Sequence, residues 1–247
     1  MHSSCLISLA LTFGALAAPG PTSFVLIGDS TTANGTSLNS GGWGNGFCAS
    51  LSSGTPCINT ARNGASTGSF VANGFWDAAI AAIKAEVGVG RRTLATIQFG
   101  HNDQKIAGPE SMGKNLTSMV QQIRALGGEP VLLTSLTRRS FNSDGTINDT
   151  LQPWATETMT VASQTQTRLL DLHKTSIKYC EAIGPPYCHV LNKSPDDNTH
   201  LNEKGSTVFG RMVADLLVGS VPSTELPIIT NAALSYNISH GIPSFYS

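Results

Sequence analysis

Short apolar runs alternate along the chain with longer segments in which apolar residues recur every three or four positions. The first run, Phe24 to Ile27, is closed by Gly28, which is typical of a buried strand that ends abruptly. The predicted strands are 24–27, 58–61, 93–99, 130–134 and 168–172, and the predicted helices are 76–87, 110–126, 153–165 and 202–218. Strands that alternate with helices favour an α/β fold, a three-layer α/β/α sandwich around a mostly parallel five-stranded sheet.

Two stretches lack a regular pattern of apolar positions. Residues 31–46 are rich in Gly, Asn, Ser and Thr, which favours a loop. From Gly219 onward the chain shows no clear periodicity. Because no repeat or linker-like segment divides the rest, we expect one domain over residues 18–218 and a tail of unknown role over 219–247.

The amino-terminal residues 1–17 have the pattern of a secretory signal peptide. An uncharged apolar run extends from Cys5 to Ala18, and Ala15-Leu16-Ala17 has the small-x-small spacing of a cleavage site. The run is too short to span a bilayer, and no later stretch is long and apolar enough to do so. We therefore expect a secreted, extracellular protein without a membrane anchor.

Cysteine and asparagine usage agrees with an extracellular location. The chain after the signal peptide keeps Cys48, Cys57, Cys180 and Cys188, an even number suited to disulfides in an oxidising compartment. Three pairings exist, and we favour Cys48 with Cys57 and Cys180 with Cys188 because each closes a short loop. Sequons that permit N-glycosylation begin at Asn34, Asn115, Asn148, Asn192 and Asn237.

Charge excludes one large class of function. The formal net charge is -1 and only 13% of residues are charged, which leaves no basic face for nucleic acid. A neutral or mildly charged extracellular substrate fits this composition better, and we expect a monomer that binds neither nucleic acid nor membrane.

Five polar or small residues fall where the predicted fold gathers functional groups. Ser30, Gly64 and Asn102 each follow the carboxyl end of a predicted strand, and parallel strands present these ends at one edge of the sheet, where ligands bind. Asp197 and His200 precede the last predicted helix at an interval of three residues, which allows the carboxylate to reach the imidazole.

The residue types match the needs of ester hydrolysis. A serine hydroxyl such as Ser30 requires a neutral imidazole to accept its proton, and a carboxylate fixes the tautomer of that imidazole. The backbone N–H groups of Ser30 and Gly64 and the Asn102 amide are suitable donors to an oxyanion. This chemistry requires no metal or organic cofactor, and it predicts activity that declines through the histidine titration range, about pH 6 to 7.

Taken singly, each of these residues also has a structural explanation. Gly64 and Asn102 are common turn residues, and Asp197 could cap the following helix. A metal site built from the nearby acids and histidines matches no ligand spacing. The residues of that alternative are His101, Asp103, Asp196, Asp197 and His200. The joint order and placement favour catalysis, because the structural explanations would have to hold at all five positions independently.

The same positions resemble the sequence blocks of the SGNH, or GDSL-type, hydrolases, and more narrowly those of the rhamnogalacturonan acetylesterases. The matching blocks are Gly28-Asp29-Ser30-Thr31, Gly42-Trp43-Gly44, Gly64, Phe99 to Asp103, Thr137-Arg138-Arg139-Ser140-Phe141 and Asp197-Asn198-Thr199-His200. The resemblance extends from about Phe24 to Leu217 and implies the flavodoxin-like SGNH fold. It also implies that Ser30 is the nucleophile, His200 the base and Asp197 its partner, with Ser30, Gly64 and Asn102 forming the oxyanion hole.

The resemblance implies deacetylation of pectic polysaccharide by two-step acyl transfer. Trp43 lies shortly after Ser30 and is a candidate sugar contact, while Arg138 and Arg139 follow a strand end and are candidate contacts for galacturonate carboxylates. Two alternatives stay open at this point. One is an acetylesterase acting on xylan or another glycan, and the other is a carbohydrate-binding protein without turnover.

Overall fold

The computed structural model describes residues 21–37, 39–221 and 226–244. The described chain contains one five-stranded sheet, entirely parallel, in the order β2-β1-β3-β4-β5. The strands are β1 (Thr22–Gly28), β2 (Cys57–Asn59), β3 (Arg92–Gln98), β4 (Glu129–Leu133) and β5 (Arg168–Leu170). All five predicted strands are present, which confirms the predicted sheet. The predicted signal peptide, 1–17, lies outside the described residues.

Helices cover both faces of this sheet and complete the predicted three-layer α/β/α sandwich. They are α1 (Trp43–Ala49), α2 (Thr67–Ala72), α3 (Phe75–Gly88), α4 (Pro109–Ala125), α5 (Gln152–Gln164), α6 (Leu172–His189), α7 (Glu203–Ser220) and α8 (Ala232–His240). None of the helices in the described part of the chain has the length and apolar character of a membrane span.

The central strands β1, β3 and β4 are buried on both faces, as their apolar runs require, whereas the edge strands β2 and β5 are partly exposed. In β1, Phe24 and Leu26 face a core formed with α1, α6, α7 and α8, while Val25 and Ile27 face a second core formed with α3, α4 and α5. All four side chains are fully buried. The sheet is therefore a rigid central layer from whose carboxyl edge the polar residues emerge.

The expectation of a loop throughout 31–46 is wrong at its end, because α1 begins at Trp43. Glycines on both α1 and α7 permit a close contact between the two helices. A Cβ on Gly46 of α1 would lie 2.0 Å from the Ser206 carbonyl oxygen, and one on Gly210 of α7 would lie 2.3 Å from the Phe47 nitrogen. This packing of α1 on α7 stabilises a segment whose composition favours a loop.

The chain after residue 218 also contains order that its periodicity does not reveal. Helix α7 continues to Ser220, and α8 follows within the tail. Leu226 and Ile238 are buried in the same core as α7, and the Arg211 guanidinium donates to the Ile229 carbonyl at 2.6 Å. The described part of the tail therefore packs against the domain.

Both predicted disulfides are present. Cys48–Cys57 joins α1 to β2, with a Cα–Cα distance of 5.7 Å, and Cys180–Cys188 lies within α6, with a Cα–Cα distance of 5.3 Å. The second bond spans a kink where Gly184 takes φ 76°, a conformation that favours glycine.

Candidate active site

The strand order places the candidate residues at the point where the chain reverses its direction of progress through the sheet. In the order β2-β1-β3-β4-β5 this point lies between β1 and β3, and ligands of such folds bind outside the carboxyl ends of those strands. Ser30 follows β1 and Asn102 follows β3, while Gly64 follows the edge strand β2. The fold therefore brings the three strand-end residues to one edge, as the sequence predicts.

A chain of hydrogen bonds joins Ser30, His200 and Asp197. The Nδ1 atom of His200 lies 2.8 Å from Asp197 Oδ2, and its Nε2 atom lies 3.0 Å from Ser30 Oγ. Because an ionised carboxylate only accepts, Nδ1 carries the proton and Nε2 is left to accept from the serine hydroxyl. These distances and this tautomer suit proton transfer from serine to imidazole.

The carboxylate of Asp197 is fixed by more than the imidazole. Its Oδ1 atom accepts from the backbone N–H groups of Thr199 at 3.0 Å and His200 at 2.9 Å. Burial would raise the pKa of Asp197, but these donors and the His200 ring lower it below its ordinary value. The group therefore stays a carboxylate and an acceptor well into the acid range.

Three donors beside Ser30 are arranged as a potential oxyanion site. No hydrogen-bond acceptor in the described chain engages the backbone N–H of Ser30 or Gly64. Gly64 has φ 75°, which favours glycine, whereas an added Cβ would meet nothing within 4 Å. The requirement for glycine here is thus conformational. Asn102 Nδ2 donates one hydrogen to the Ala65 carbonyl at 3.0 Å, and Lys105 Nζ donates to Asn102 Oδ1 at 2.9 Å, which orients the amide.

The cleft around Ser30 has two lobes that share Ser30, Asn102, Lys105 and His200. The lysine lobe has a volume of about 290 Å³ and is also lined by Asn34, Gly35, Thr36, Ser40, Gly41, Asn63, Gly64, Lys193 and Leu201. The aspartate lobe has a volume of about 520 Å³ and is also lined by His101, Arg138, Ser140, Ser194, Asp196, Asp197, Asn198 and Thr199. The serine and imidazole therefore open to solvent between two polar surfaces.

A larger cavity lies away from these residues. It has a volume of about 610 Å³, is mostly apolar, and lies between α6, α7 and α8. None of the predicted site residues lines it. Within the described chain, no group of three His, Cys, Asp or Glu side chains is arranged to hold a metal ion.

The nucleophile loop is supported by a buried polar cluster. Asp29 Oδ1 accepts from the Thr31 backbone N–H and hydroxyl, each at 2.8 Å, and Gln98 Oε1 accepts from the Thr32 hydroxyl and from the Trp43 indole N–H at 3.1 Å. Trp43 is fully buried. Its predicted contact with sugar is therefore wrong: the indole anchors the loop from inside.

Two further buried ionisable groups lie beneath the Asn102 turn. Asp103 Oδ1 accepts from the Thr67 backbone N–H at 2.9 Å and hydroxyl at 2.6 Å, and burial raises the pKa of this carboxyl despite those donors. His101 Nδ1 lies 3.6 Å from Asp29 Oδ2. Burial lowers the pKa of His101 against the opposing influence of Asp29, so the ring is held neutral.

The two candidate arginines occupy different places. Arg139 is fully buried, and its guanidinium donates to the His200 carbonyl at 2.8 Å and to the Asn192 side chain. Its predicted contact with substrate is therefore wrong. Arg138 is half-buried and lines the aspartate lobe, but it donates to the Thr199 hydroxyl at 2.5 Å and to Gln104 at 3.0 Å. Both arginines tie the His200 loop to the rest of the site.

One predicted glycosylation position is contradicted. Asn192 is buried, accepts from Arg139 and donates its amide to Asn198 Oδ1 at 3.0 Å, so no glycan fits there. Asn34 and Asn148 are exposed, whereas Asn115 and Asn237 are half-buried and hydrogen-bonded through Nδ2. Asn34 lines the lysine lobe, where a glycan would fill the cleft, so exposure and position together favour Asn148 as the acceptor.

Sequence reasoning missed Lys105 and Lys193. Both are exposed and both line the lysine lobe. The first lies three residues after Asn102, close enough along a tight turn to reach its side chain, and this spacing was the available signal. Lys193 carries no such signal because it is seven residues before His200 and enters the cleft through a backbone bond to the His200 carbonyl at 2.9 Å.

The site joins a hydroxyl, an imidazole and a carboxylate in one hydrogen-bonded series, beside free N–H donors at the edge of an α/β sheet. This combination defines the class of serine ester hydrolases. A sequence profile of the GDSL-like Lipase/Acylhydrolase family matches residues 26–208. The chain belongs to this family, as its resemblance predicts, and is a carboxylic ester hydrolase.

Individual proteins show how far the likeness extends. The chain is 34% identical over 213 residues to the rhamnogalacturonan acetylesterase RhgT of Bacillus subtilis (strain 168), covering 79% of this chain and 89% of that protein. The structure of YxiM from Bacillus subtilis superposes with a TM-score of 0.70 at 22% identity, covering 81% of this chain and 56% of that longer one. Axe2, an acetylxylan esterase from Geobacillus stearothermophilus, superposes with a TM-score of 0.59 at 16% identity, covering 83% of this chain and 95% of that one. Both structures share the fold.

Proposed function

We propose that this protein is a secreted carbohydrate esterase that removes acetyl groups from pectic rhamnogalacturonan, with Ser30 as nucleophile. The observation that carries the proposal is the series Ser30–His200–Asp197, with 3.0 Å and 2.8 Å between its polar atoms, open to a polar cleft. The hydroxyl and amide groups that line both lobes suit a carbohydrate better than a lipid chain. The relationship to RhgT supports the choice of substrate.

The first half of the reaction forms an acetyl-enzyme. Ser30 Oγ attacks the acetyl carbonyl carbon while its proton moves to His200 Nε2. The N–H groups of Ser30 and Gly64 and the second hydrogen of Asn102 Nδ2 stabilise the resulting oxyanion, and each such donor typically lowers the barrier by about 3 kcal/mol. The bond between the carbonyl carbon and the sugar oxygen then breaks, and His200 Nε2 returns the proton to that oxygen.

The second half restores the enzyme. Water enters the cleft and gives a proton to His200 Nε2 as its oxygen attacks the acetyl carbon. The bond to Ser30 Oγ breaks, the serine regains its proton, and acetate leaves. Asp197 holds the imidazole in the required tautomer and stabilises its charged form in both halves. No step requires another group.

Secretion is part of the proposal. The apolar run and cleavage-site pattern of residues 1–17 support export, and the two disulfides suit an oxidising compartment. The exposed sequon at Asn148, outside the cleft lining, is compatible with glycosylation on that route.

The test is acetate release from acetylated rhamnogalacturonan, acetylated homogalacturonan and acetylxylan, measured side by side with wild type and Ser30→Ala. We expect the fastest release from rhamnogalacturonan and a loss of about 10⁶ in kcat for Ser30→Ala, the scale seen when a serine nucleophile is removed. Faster acetate release from acetylxylan would change the proposed substrate and leave the proposed mechanism unchanged. Binding of polysaccharide without Ser30-dependent release would indicate a binding protein and overturn the proposal.

A further inference from the structure

The two lobes of the cleft differ in charge. The lysine lobe contains Lys105 and Lys193 and, among its described lining residues, no carboxylate. The aspartate lobe contains Asp196 and Asp197 together with Arg138 and the shared Lys105. The lysine lobe therefore carries an excess of two positive charges, whereas the two carboxylates and two cations of the aspartate lobe balance. An anionic group entering the cleft is attracted more strongly to the lysine lobe.

The two lysines are not equivalent. The Lys105 ammonium donates to Asn102 Oδ1 at 2.9 Å, so it also orients a proposed oxyanion donor. The Lys193 side chain is exposed and forms no ion pair within the described chain. Its backbone N–H bonds to the His200 carbonyl, which keeps the residue beside the base. Lys193 therefore offers an ammonium without an ion-pair partner in the described chain, on a backbone that is held at the cleft rim.

The remaining lining of the lysine lobe is neutral and polar. Asn34, Thr36, Ser40 and Asn63 present amide and hydroxyl groups, which exchange hydrogen bonds with sugar hydroxyls. A pair of ammonium groups among such residues suits a sugar that itself carries a carboxylate.

Arg138, the cation of the aspartate lobe, is less suited to this role. Its guanidinium already donates to Thr199 and Gln104, and the neighbouring Asp196 and Asp197 carboxylates oppose a further anion. The charge arrangement therefore favours the orientation of an acidic polymer that places its carboxylate in the lysine lobe.

We infer that the lysine lobe is a subsite for the carboxylate of a uronic acid next to the acetylated sugar, with Lys193 as a specificity-determining residue. The inference rests on the proposed function, because it needs a carbohydrate ester at Ser30. It adds the position and the direction: the acidic sugar lies on the Gly64 side of the nucleophile, away from Asp197. Attraction between exposed charges is screened by salt, so the preference for acidic substrate should weaken as ionic strength rises.

The experiment compares acetylated rhamnogalacturonan oligosaccharides with the same oligosaccharides after methyl esterification of their carboxylates, which removes the charge and adds one methyl group. The measured quantity is the ratio of kcat/KM for acetate release from the two substrates, in wild type, Lys193→Gln and Lys193→Glu. Lys204→Gln is the matched control, since Lys204 is an exposed lysine on α7 outside the cleft lining.

We expect wild type to prefer the charged substrate and Lys193→Gln to reduce that ratio about tenfold, mainly through a higher KM for the charged form. Lys193→Glu should reverse the preference, and Lys204→Gln should keep the wild-type ratio. Raising NaCl from 50 to 500 mM should lower the wild-type ratio more than that of Lys193→Gln. A ratio unchanged in both Lys193 variants overturns the inference.

The failure of the proposed function would look different. Wild type would then release acetate from neither oligosaccharide while hydrolysing p-nitrophenyl acetate in a Ser30-dependent reaction. That outcome would contradict both the proposed carbohydrate substrate and the proposed uronate subsite. An altered ratio in the Lys193 variants, by contrast, supports both.

Discussion

The loop that carries Ser30 and the loop that carries His200 are anchored by buried groups of opposite charge. Beneath Ser30, Asp29 is fully buried and collects the donors of Thr31. Behind His200, Arg139 is fully buried and donates to the His200 carbonyl and to Asn192. A buried anion thus accepts hydrogen bonds from the nucleophile loop, and a buried cation donates hydrogen bonds to the base loop.

This contrast shows how one cleft keeps its two reacting partners at a fixed distance. A buried charge is costly unless its hydrogen bonds are made, so each anchor penalises displacement of the loop around it. Burial lowers the pKa of Arg139 to about 9, which still leaves the guanidinium charged at neutral pH. Asp29 Oδ1 and the Arg139 guanidinium bond to their own loops, whereas Asp29 Oδ2 has no hydrogen-bond partner in the described chain and faces His101 Nδ1 at 3.6 Å. Changes to one anchor should therefore act first on its own loop.

The largest effect is expected where the base loop meets the imidazole. Asp197→Asn keeps an oxygen for the Thr199 and His200 N–H groups but presents an amide donor to His200 Nδ1. The imidazole then carries its proton on Nε2 and cannot accept from Ser30. We expect kcat on p-nitrophenyl acetate to fall about 10⁴-fold, the scale measured for the equivalent change in a serine protease.

Stability should separate this effect from misfolding. Asp197 is 28% exposed, so we expect the urea midpoint of Asp197→Asn to stay near that of wild type. Asp77→Asn, at an exposed position in the first turn of α3, is the control for the substitution itself. A kcat within tenfold of wild type would show that Asp197 does not set the tautomer.

The second effect tests the cationic anchor. Arg139→Met removes a donor from the His200 carbonyl, which keeps the Lys193 N–H, and leaves the buried Asn192 Oδ1 without its donor. Hydrogen bonds from a charged donor contribute about 1.5–3 kcal/mol each, so we expect a loss of about 3 kcal/mol in the free energy of unfolding. The freed loop should also lower kcat about 30-fold through a misplaced imidazole, since small displacements of a catalytic group cost up to about 10²-fold.

Arg139→Lys is the companion variant, because an ammonium can restore one of the two bonds. We expect it to recover part of kcat and part of the stability, measured by urea unfolding and initial rates. A loss of stability in Arg139→Met with kcat unchanged would make Arg139 a general core residue with no positioning role.

Arg139 also marks the limit of what the sequence reveals. The five site residues were predictable because each follows a strand or precedes a helix, and parallel strands place these ends together. The burial of Arg139 was not, since arginine is mostly exposed. For Trp43 the sequence allowed core packing as well as a sugar contact, and only the packed structure shows the partners of both residues. Sequence order locates the reacting groups, whereas their anchors depend on contacts between distant segments.

The missed helices have the same explanation. Helix α1 is rich in glycine and depends on close contact with α7. Segment α6 contains Gly184, Pro185 and Pro186, and the backbone at Gly184 is non-helical, so α6 consists of two helical stretches that meet at a kink. Local propensity is a weak guide where tertiary packing decides.

The smallest effect tests the anionic anchor by its dependence on pH. Burial would raise the pKa of Asp29, but His101 and the Thr31 donors lower it below its ordinary value. A carboxyl with a lowered pKa in the folded state contributes stability above its unfolded pKa, near 3.9, and loses that contribution as pH falls through the folded value. Burial also lowers the pKa of the neighbouring His101, so protonation of this ring on acidification destabilises the folded protein as well.

Asp29→Asn keeps an acceptor for Thr31 but removes the charge, so the bonds weaken from charge-assisted to neutral. We expect a loss of about 1–2 kcal/mol in the free energy of unfolding at pH 7, measured by urea unfolding at pH steps from 7 to 2.5. The difference from wild type should shrink below pH 4, as wild type protonates the carboxyl that the variant lacks. A difference that stays constant from pH 7 to 2.5 would show that Asp29 acts through shape alone, and the contrast between an anionic and a cationic anchor would then lose its electrostatic basis.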